Sequence, residues 1–198
     1  MYFIPPSQDP QRDSVSYAFL DDVFTAEELK MIESLGEKLR LSNADIATTS
    51  GKDVVNNKTR KNKLGWIHVS KETEFIYSKI SRATAALNAR YFGLNISGMY
   101  EPLQYTLYNE SGDHYGWHVD LHPQTFVPRK LSVVVMLSES REFKGGDLQL
   151  MTEQEPTTLE NKKGRAYVFP SYVLHRVVPV TQGTRKTIVA WVGGEKFK

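Results

Sequence analysis

The pattern of apolar and polar positions divides the chain near Gly93. Ahead of it, apolar residues recur at helical spacing twice. Leu29, Ile32 and Leu35 follow Thr25 and Glu28, which stand at capping-box spacing, and Ile76, Ile80, Ala83 and Leu87 follow Ser70. The first set predicts a helix fed by a strand in "SYAFLDDVF"; the second predicts a helix from about 71 to 91, capped by Ser70 and ended by Gly93. Between them residues 42–63 ("SNADIATTSGKDVVNNKTRKNK") are polar and aperiodic, which fits a lid or a mobile loop. Past Gly93, short apolar runs alternate with turn residues and predict strands near 97–108, 115–120, 130–138, 146–151, 165–169, 173–180 and 184–192. Strands so closely spaced after two helices predict a mainly β fold with α, a sandwich or jelly roll whose N-terminal helices pack on one sheet.

Composition narrows the class without naming a partner. A chain of 198 residues, 40% apolar and 11% aromatic, is long enough for one sizeable core and is neither fibrous nor disordered throughout. It is read as one domain, 1–198, with a support region over 1–95 and a core over 96–193. The first fourteen residues, mostly polar with three prolines, are expected to lie as a surface arm. A net charge of +2 and a basic cluster no longer than "KTRKNK" (58–63) make nucleic acid an unexpected partner. With no cysteine, any metal must be held by nitrogen and oxygen. No apolar run approaches the roughly 20 residues that span a bilayer, and the N-terminus lacks a signal-peptide pattern. No membrane partner and a cytoplasmic location are therefore expected.

The chemistry concentrates in "YNESGDHYGWHVD", residues 108–120. On a strand, positions i and i+2 share a face, so His118 and Asp120 would offer an imidazole and a carboxylate about 7 Å apart at the backbone. Such a triplet is common by chance and means little alone. Its weight comes from "YVLHRVVPVTQGTRKTIVAWVGG", which reads as a hairpin with Thr181, Gln182 and Gly183 as its loop. Pairing Val180 with Thr184 would set Pro179 opposite Arg185, Val177 opposite Thr187 and His175 opposite Val189 on one face, with His175 and Arg185 about 13 Å apart along the strand. Two histidines and one carboxylate suit Fe(II) or zinc. A guanidinium at that remove suits the far carboxylate of a five-carbon dicarboxylate chelating the ion, and favours iron. Trp191 shares the face of Arg185 and Thr187 and would wall the pocket, whereas Trp117 and Tyr105 point to the opposite faces of their strands. His114 and His122 are expected at the rim, and His68 is expected to be structural.

These residues resemble the Fe(II)/2-oxoglutarate dioxygenases of the prolyl 4-hydroxylase-like branch. The pattern is met by Tyr108, Gly112, Tyr115, His118 and Asp120, and its distal half by His175 and Arg185; "LHRVVPVTQGTRKTIVAW" is similar to the PKHD-type hydroxylases of bacteria and phages. The resemblance implies a double-stranded β-helix of the jelly-roll or cupin kind, cytoplasmic in a bacterium or phage-infected host. It also implies Fe(II) on His118, Asp120 and His175, and 2-oxoglutarate on Arg185 with Tyr108 and Thr187 beside it. O2 would be the oxidant and ascorbate an auxiliary reductant. The implied reaction couples decarboxylation of 2-oxoglutarate to hydroxylation of a prolyl or other aliphatic residue in a peptide or protein. A free amino acid or small metabolite is the alternative substrate, and a non-catalytic binding module the alternative function. Tyr115, Met136 and Trp191 are the expected substrate-pocket residues. Met136 stands where some relatives carry a second cosubstrate tyrosine, and Gly145 and Gly146 match a family turn.

Overall fold

The computed structural model of the protein describes residues 15–44, 58–121 and 127–196. In chain order its elements are β1 (Ala18–Leu20), α1 (Ala26–Lys38), β2 (Ser42–Asn43), β3 (Arg60–Lys61), β4 (Lys63–Ile67), α2 (Glu74–Leu87), β5 (Leu103–Asn109), β6 (His114–His118), β7 (Arg129–Met136), β8 (Phe143–Gly145), β9 (Leu148–Leu150), β10 (Thr157–Thr158), β11 (Ala166–Pro170), β12 (His175–Val177) and β13 (Val180–Gly193). The strands form two antiparallel sheets, a jelly roll. The larger runs β1-β11-β7-β13-β5-β4-β2, with β8 also on β13, and the smaller runs β10-β9-β12-β6-β3.

Helix α1 begins as the capping box dictates. Thr25 Oγ1 accepts the Glu28 N–H at 3.2 Å, and Glu28 Oε2 accepts the Thr25 N–H at 2.7 Å. Helix α2 begins later than predicted, because Ser70 is not its cap. Residues 70–73 close a turn instead, in which the Ser70 N–H donates to Thr73 Oγ1 and Thr73 Oγ1 donates to the His68 carbonyl. A π-helical turn, Asn88–Phe92, extends the helix to Gly93, which ends it with a left-handed φ of 60°.

Strict alternation on the larger sheet separates two interiors. Leu103, Tyr105, Leu131, Val133, Val135, Ile188, Ala190 and Val192 share one apolar cluster with Ile32, Ile76 and Ile80 of the helices. The Tyr105 ring occupies space that only glycine leaves open in α1, since a Cβ on Gly36 would fall 2.2 Å from Tyr105 Cε2. The opposite faces of the same strands carry Tyr108, Val134, Met136 and Val189, packed with Leu148, Leu150 and Val177 of the smaller sheet. That second interior is where the candidate site lies.

Two expectations need correction. The segment 42–63 is not one long loop, since it contributes β2, β3 and the start of β4; the remainder of the lid expectation, 45–57, lies outside the described residues, as do the arm 1–14 and His122. Nor do 175–180 and 184–192 form a hairpin. His175 lies on β12, which pairs with β6 and β9, whereas 184–189 pair with β5 and 187–193 with β7. The chain leaves β12 after Val177 and crosses to the other sheet through Pro179, which has no N–H to give to a ladder. The Pro179 carbonyl instead accepts the Gly146 N–H at 3.2 Å. Gly145 has a positive φ of 71°, and a Cβ there would fall 2.2 Å from the Pro179 oxygen. His175 and Arg185 thus face one another's side of the jelly roll from different sheets, and the 13 Å spacing expected along one strand pair does not apply.

Candidate metal centre and functional site

Strand β6 is not regular. His118 is paired with His175 and Tyr115 with Val177, so three residue steps on β6 match two on β12. This one-residue bulge turns Tyr115 and His118 to the same side, where their rings stack at 3.5 Å and 15°. The strand ends at His118, and the chain then turns Asp120 inward, its N–H held by the Ser171 carbonyl at 2.9 Å.

His118, Asp120 and His175 converge there, each offering a ligand atom, all within 4.8 Å of one another. His118 Nε2 is 3.7 Å from Asp120 Oδ1, and His175 Nε2 is 3.5 Å from Asp120 Oδ2. Each imidazole sits 2.8–2.9 Å by Nδ1 from the carbonyl two residues before it, Gly116 for His118 and Val173 for His175. A carbonyl can only accept, so Nδ1 carries the proton and the Nε2 lone pair is left toward the cluster. Burial, then the neighbouring His175, lowers the His118 pKa to about 3. Burial works against ionising Asp120, yet His175 and His118, then the Ser132 hydrogen bond, hold its carboxyl below the usual range. Two imidazole nitrogens beside a carboxylate held ionised make a set that could hold a divalent metal.

The carboxylate is held by residues on other elements. Ser132 Oγ of β7 donates to Asp120 Oδ2 at 2.6 Å, and Ser171 Oγ lies 3.0 Å from Ser132 Oγ. The Trp191 indole lies close enough to favour the ionised Asp120, although its buried N–H completes no hydrogen bond. Arg129 covers the Trp191 ring at 3.8 Å and is anchored on both Glu101 oxygens. Arg60 stacks on Tyr115 at 4.4 Å, with Nη2 on Gln104 Oε1 and Nε on Asn62 Oδ1.

Arg185 is the second focus. It is 1% exposed, with Tyr108 5.3 Å from its guanidinium carbon and Nη2 only 3.6 Å from Met136 Sδ, a weak acceptor. Its Nε has no partner, and no described carboxylate forms an ion pair with it. Burial pulls its pKa down against the opposing pull of Tyr108 and Asp147. Gly146 makes room for it, since a Cβ there would stand 3.0 Å from Arg185 Cδ. Thr187, 1% exposed, shares its inward face. Tyr108 lies within electrostatic range of both Arg185 and Asp120 and so connects the two foci.

Every residue singled out in the sequence for metal, cosubstrate or pocket faces this interior: Tyr108, Tyr115, His118, Asp120, Met136, His175, Arg185, Thr187 and Trp191. Tyr105 lies on the helix side and Trp117 stacks with Arg176 outside the metal cluster, both as expected. His114 is not in the cluster; its ring bonds the Gly112 and Lys58 carbonyls. Ser132, Ser171 and Gln104 were missed. Ser132 left a trace, one hydroxyl inside the apolar run "LSVVVML". Arg60, which stands in the basic cluster 58–63, is 8% exposed.

Residues 103–193 match the family model described as the 2OG-Fe(II) oxygenase superfamily. That stretch of the chain resembles the superfamily in sequence. Similar proteins include a PKHD-type hydroxylase of Shewanella frigidimarina, 36% identical over 97 residues, or 46% of this chain and 42% of the relative. One from Nitrosomonas europaea is 29% identical over 175 residues, or 84% of this chain and 73% of the relative. The chain spans about two fifths of the length of the Synechococcus, Prochlorococcus and Shewanella relatives. Among solved structures, a Pseudomonas putida prolyl-4-hydroxylase superposes with a TM-score of 0.69 at 18% identity, covering 91% of this chain and 94% of the other. A Trichoplax adhaerens prolyl hydroxylase, solved with a hypoxia inducible factor peptide fragment, gives 0.71 at 17%, covering 90% and 84%. At those identities the likeness is one of fold. The superfamily's Fe(II) and 2-oxoglutarate fit the residues present, because the donor set is nitrogen and oxygen without thiolate, and the buried, unpaired Arg185 calls for an anion.

Proposed function

We propose that the protein is an Fe(II)- and 2-oxoglutarate-dependent hydroxylase acting on a prolyl or other aliphatic residue of a peptide or protein, and that residues 1–198 act as one dioxygenase domain. The observation that carries this reading is the juxtaposition of His118, Asp120 and His175 with an unpaired, buried Arg185 in one interior. In it, His118 and His175 give the iron their Nε2 atoms and Asp120 gives a carboxylate oxygen. When bound, iron and 2-oxoglutarate with O2 supply the oxidising chemistry, giving succinate, CO2 and a hydroxylated product.

The chain's own part is binding, orientation and exclusion of water. The Gly116 and Val173 carbonyls keep each ring in the tautomer that presents Nε2. The Arg185 fork takes the far carboxylate of the cosubstrate, with Tyr108 and Thr187 beside it and Met136 filling the space behind. Tyr115 and Trp191 wall the approach to the metal. No protein general base is required. The Trichoplax relative's peptide fragment supports a peptide substrate over a free amino acid. The test is succinate formation with a peptide library against a panel of free amino acids. Stimulation by peptides is expected, and stimulation by free amino acids alone would overturn the substrate assignment.

A further inference from the structure

The ligands come from two distant segments of chain, and a pair of serines joins those segments. The Ser171 carbonyl accepts the Asp120 N–H at 2.9 Å, Ser171 Oγ lies 3.0 Å from Ser132 Oγ, and Ser132 Oγ donates to Asp120 Oδ2 at 2.6 Å. Chemistry fixes the direction of this relay. An ionised carboxylate can only accept, so the one Ser132 proton goes to Asp120 and the Ser171 proton goes to Ser132. Both serines are 0% exposed. On β7, Ser132 has Leu131 on one side and Val133 through Met136 on the other, all buried. A hydroxyl there costs stability unless it is bonded, and the bond it makes is to a metal-ligand carboxylate.

We propose that Ser132, backed by Ser171, is a positioning residue that fixes Asp120 as a one-oxygen ligand. This rests on the iron reading above. Both oxygens border the cluster, Oδ1 3.7 Å from His118 Nε2 and Oδ2 3.5 Å from His175 Nε2, but only Oδ2 is engaged by the short hydrogen bond from Ser132, which leaves Oδ1 the freer oxygen for an ion. A carboxylate free to turn would close on the ion with both oxygens. Two imidazoles and one carboxylate oxygen leave three positions of an octahedron, whereas two oxygens leave two, and a chelating cosubstrate would then fill the site with no place for O2. Ser171 acts at one remove, holding the Ser132 hydroxyl in its rotamer and tying the Asp120 backbone to the segment that leads to His175.

The experiment loads wild type, Ser132→Ala, Ser132→Thr and Ser171→Ala with Co(II), records the visible d–d spectrum, and then titrates 2-oxoglutarate by calorimetry. Ser132→Ala is expected to change the Co(II) spectrum before cosubstrate is added and to weaken 2-oxoglutarate binding about tenfold or more. Ser132→Thr, which keeps the hydroxyl, should restore both, and Ser171→Ala should shift both the same way by less. A Ser132→Ala protein that binds Co(II) with the wild-type spectrum and wild-type 2-oxoglutarate affinity overturns the inference. Should that variant fail to fold, Ser132→Cys, a weak donor of similar size, is read in its place against the same criterion. Wild type that binds neither Co(II) nor 2-oxoglutarate sinks the iron reading and this inference with it.

Discussion

The two faces of the larger sheet are equally buried and chemically opposite. On the helix side, Leu103, Val133, Val135, Ile188 and Ala190 meet Ile32, Ile76 and Ile80 in a wholly apolar contact. Across the same strands, one residue out of step, stand Gln104, Thr106, Ser132, Arg185 and Thr187, none more than 5% exposed. The first face is explained chiefly by the hydrophobic effect, although the buried Tyr105 hydroxyl on that side has no partner among the described residues. The second carries a buried charge as well, Arg185, whose removal from water needs a partner, and among the described residues Arg185 Nε and Trp191 Nε1 have none. Equal burial therefore does not mean equal purpose. One face is core, and the other carries polar groups, the Arg185 guanidinium among them, that lack partners among the described residues.

Substitutions on the two faces should separate accordingly. The largest effect is expected from His118→Ala, which should abolish tight Co(II) or Fe(II) binding in a metal titration while the metal-free protein still unfolds cooperatively. On the helix face, Ile80→Ala should cost about 2–5 kcal/mol in denaturant unfolding, and metal affinity per folded molecule should stay unchanged. A shift in metal affinity there would break the division between the faces. Arg185→Gln should raise the 2-oxoglutarate requirement on the order of 10²-fold and move metal affinity far less; equal loss of both would make Arg185 structural.

The smallest effect is one of pH. The His118 pKa is lowered from 6.5 to about 3, chiefly by burial and next by His175, so the unfolded chain binds its proton first as the solution is acidified. Stability of the metal-free protein should then rise with pH across that window and decline as pH falls from about 6.5 toward 3. Urea unfolding at several pH values checks this, and His118→Gln should flatten the slope.

Features that depend on local chemistry were legible in the sequence. The capping box at Thr25 and Glu28 states where α1 begins, and the alternation of 103–108 and 185–191 states which side chains share a face. His175 and Arg185 were rightly read as facing one interior, although the hairpin that argued for it does not exist. Val177 and Val180 face the same interior although three residues apart, and the register shifts between Val180 and Gln182, so strict alternation does not carry through the crossover and the right cavity was reached through a wrong pairing. What could not be read depends on distant partners. The β6 bulge is defined by its register against β12, the end of the expected loop at Arg60 by its pairing with β6, and the use of Ser132 by a carboxylate twelve residues away. Ser70 is not the cap because residues 70–73 close a turn ahead of the helix, in which the Ser70 carbonyl accepts the Thr73 and Glu74 N–H groups, an outcome that spacing does not decide.

The most direct test of the account is an anaerobic Fe(II) titration in the presence of 2-oxoglutarate, followed by visible absorption. Wild type should develop a weak charge-transfer band that needs both components and is missing in His118→Ala. Iron-loaded wild type that shows no such band with saturating 2-oxoglutarate would contradict the account.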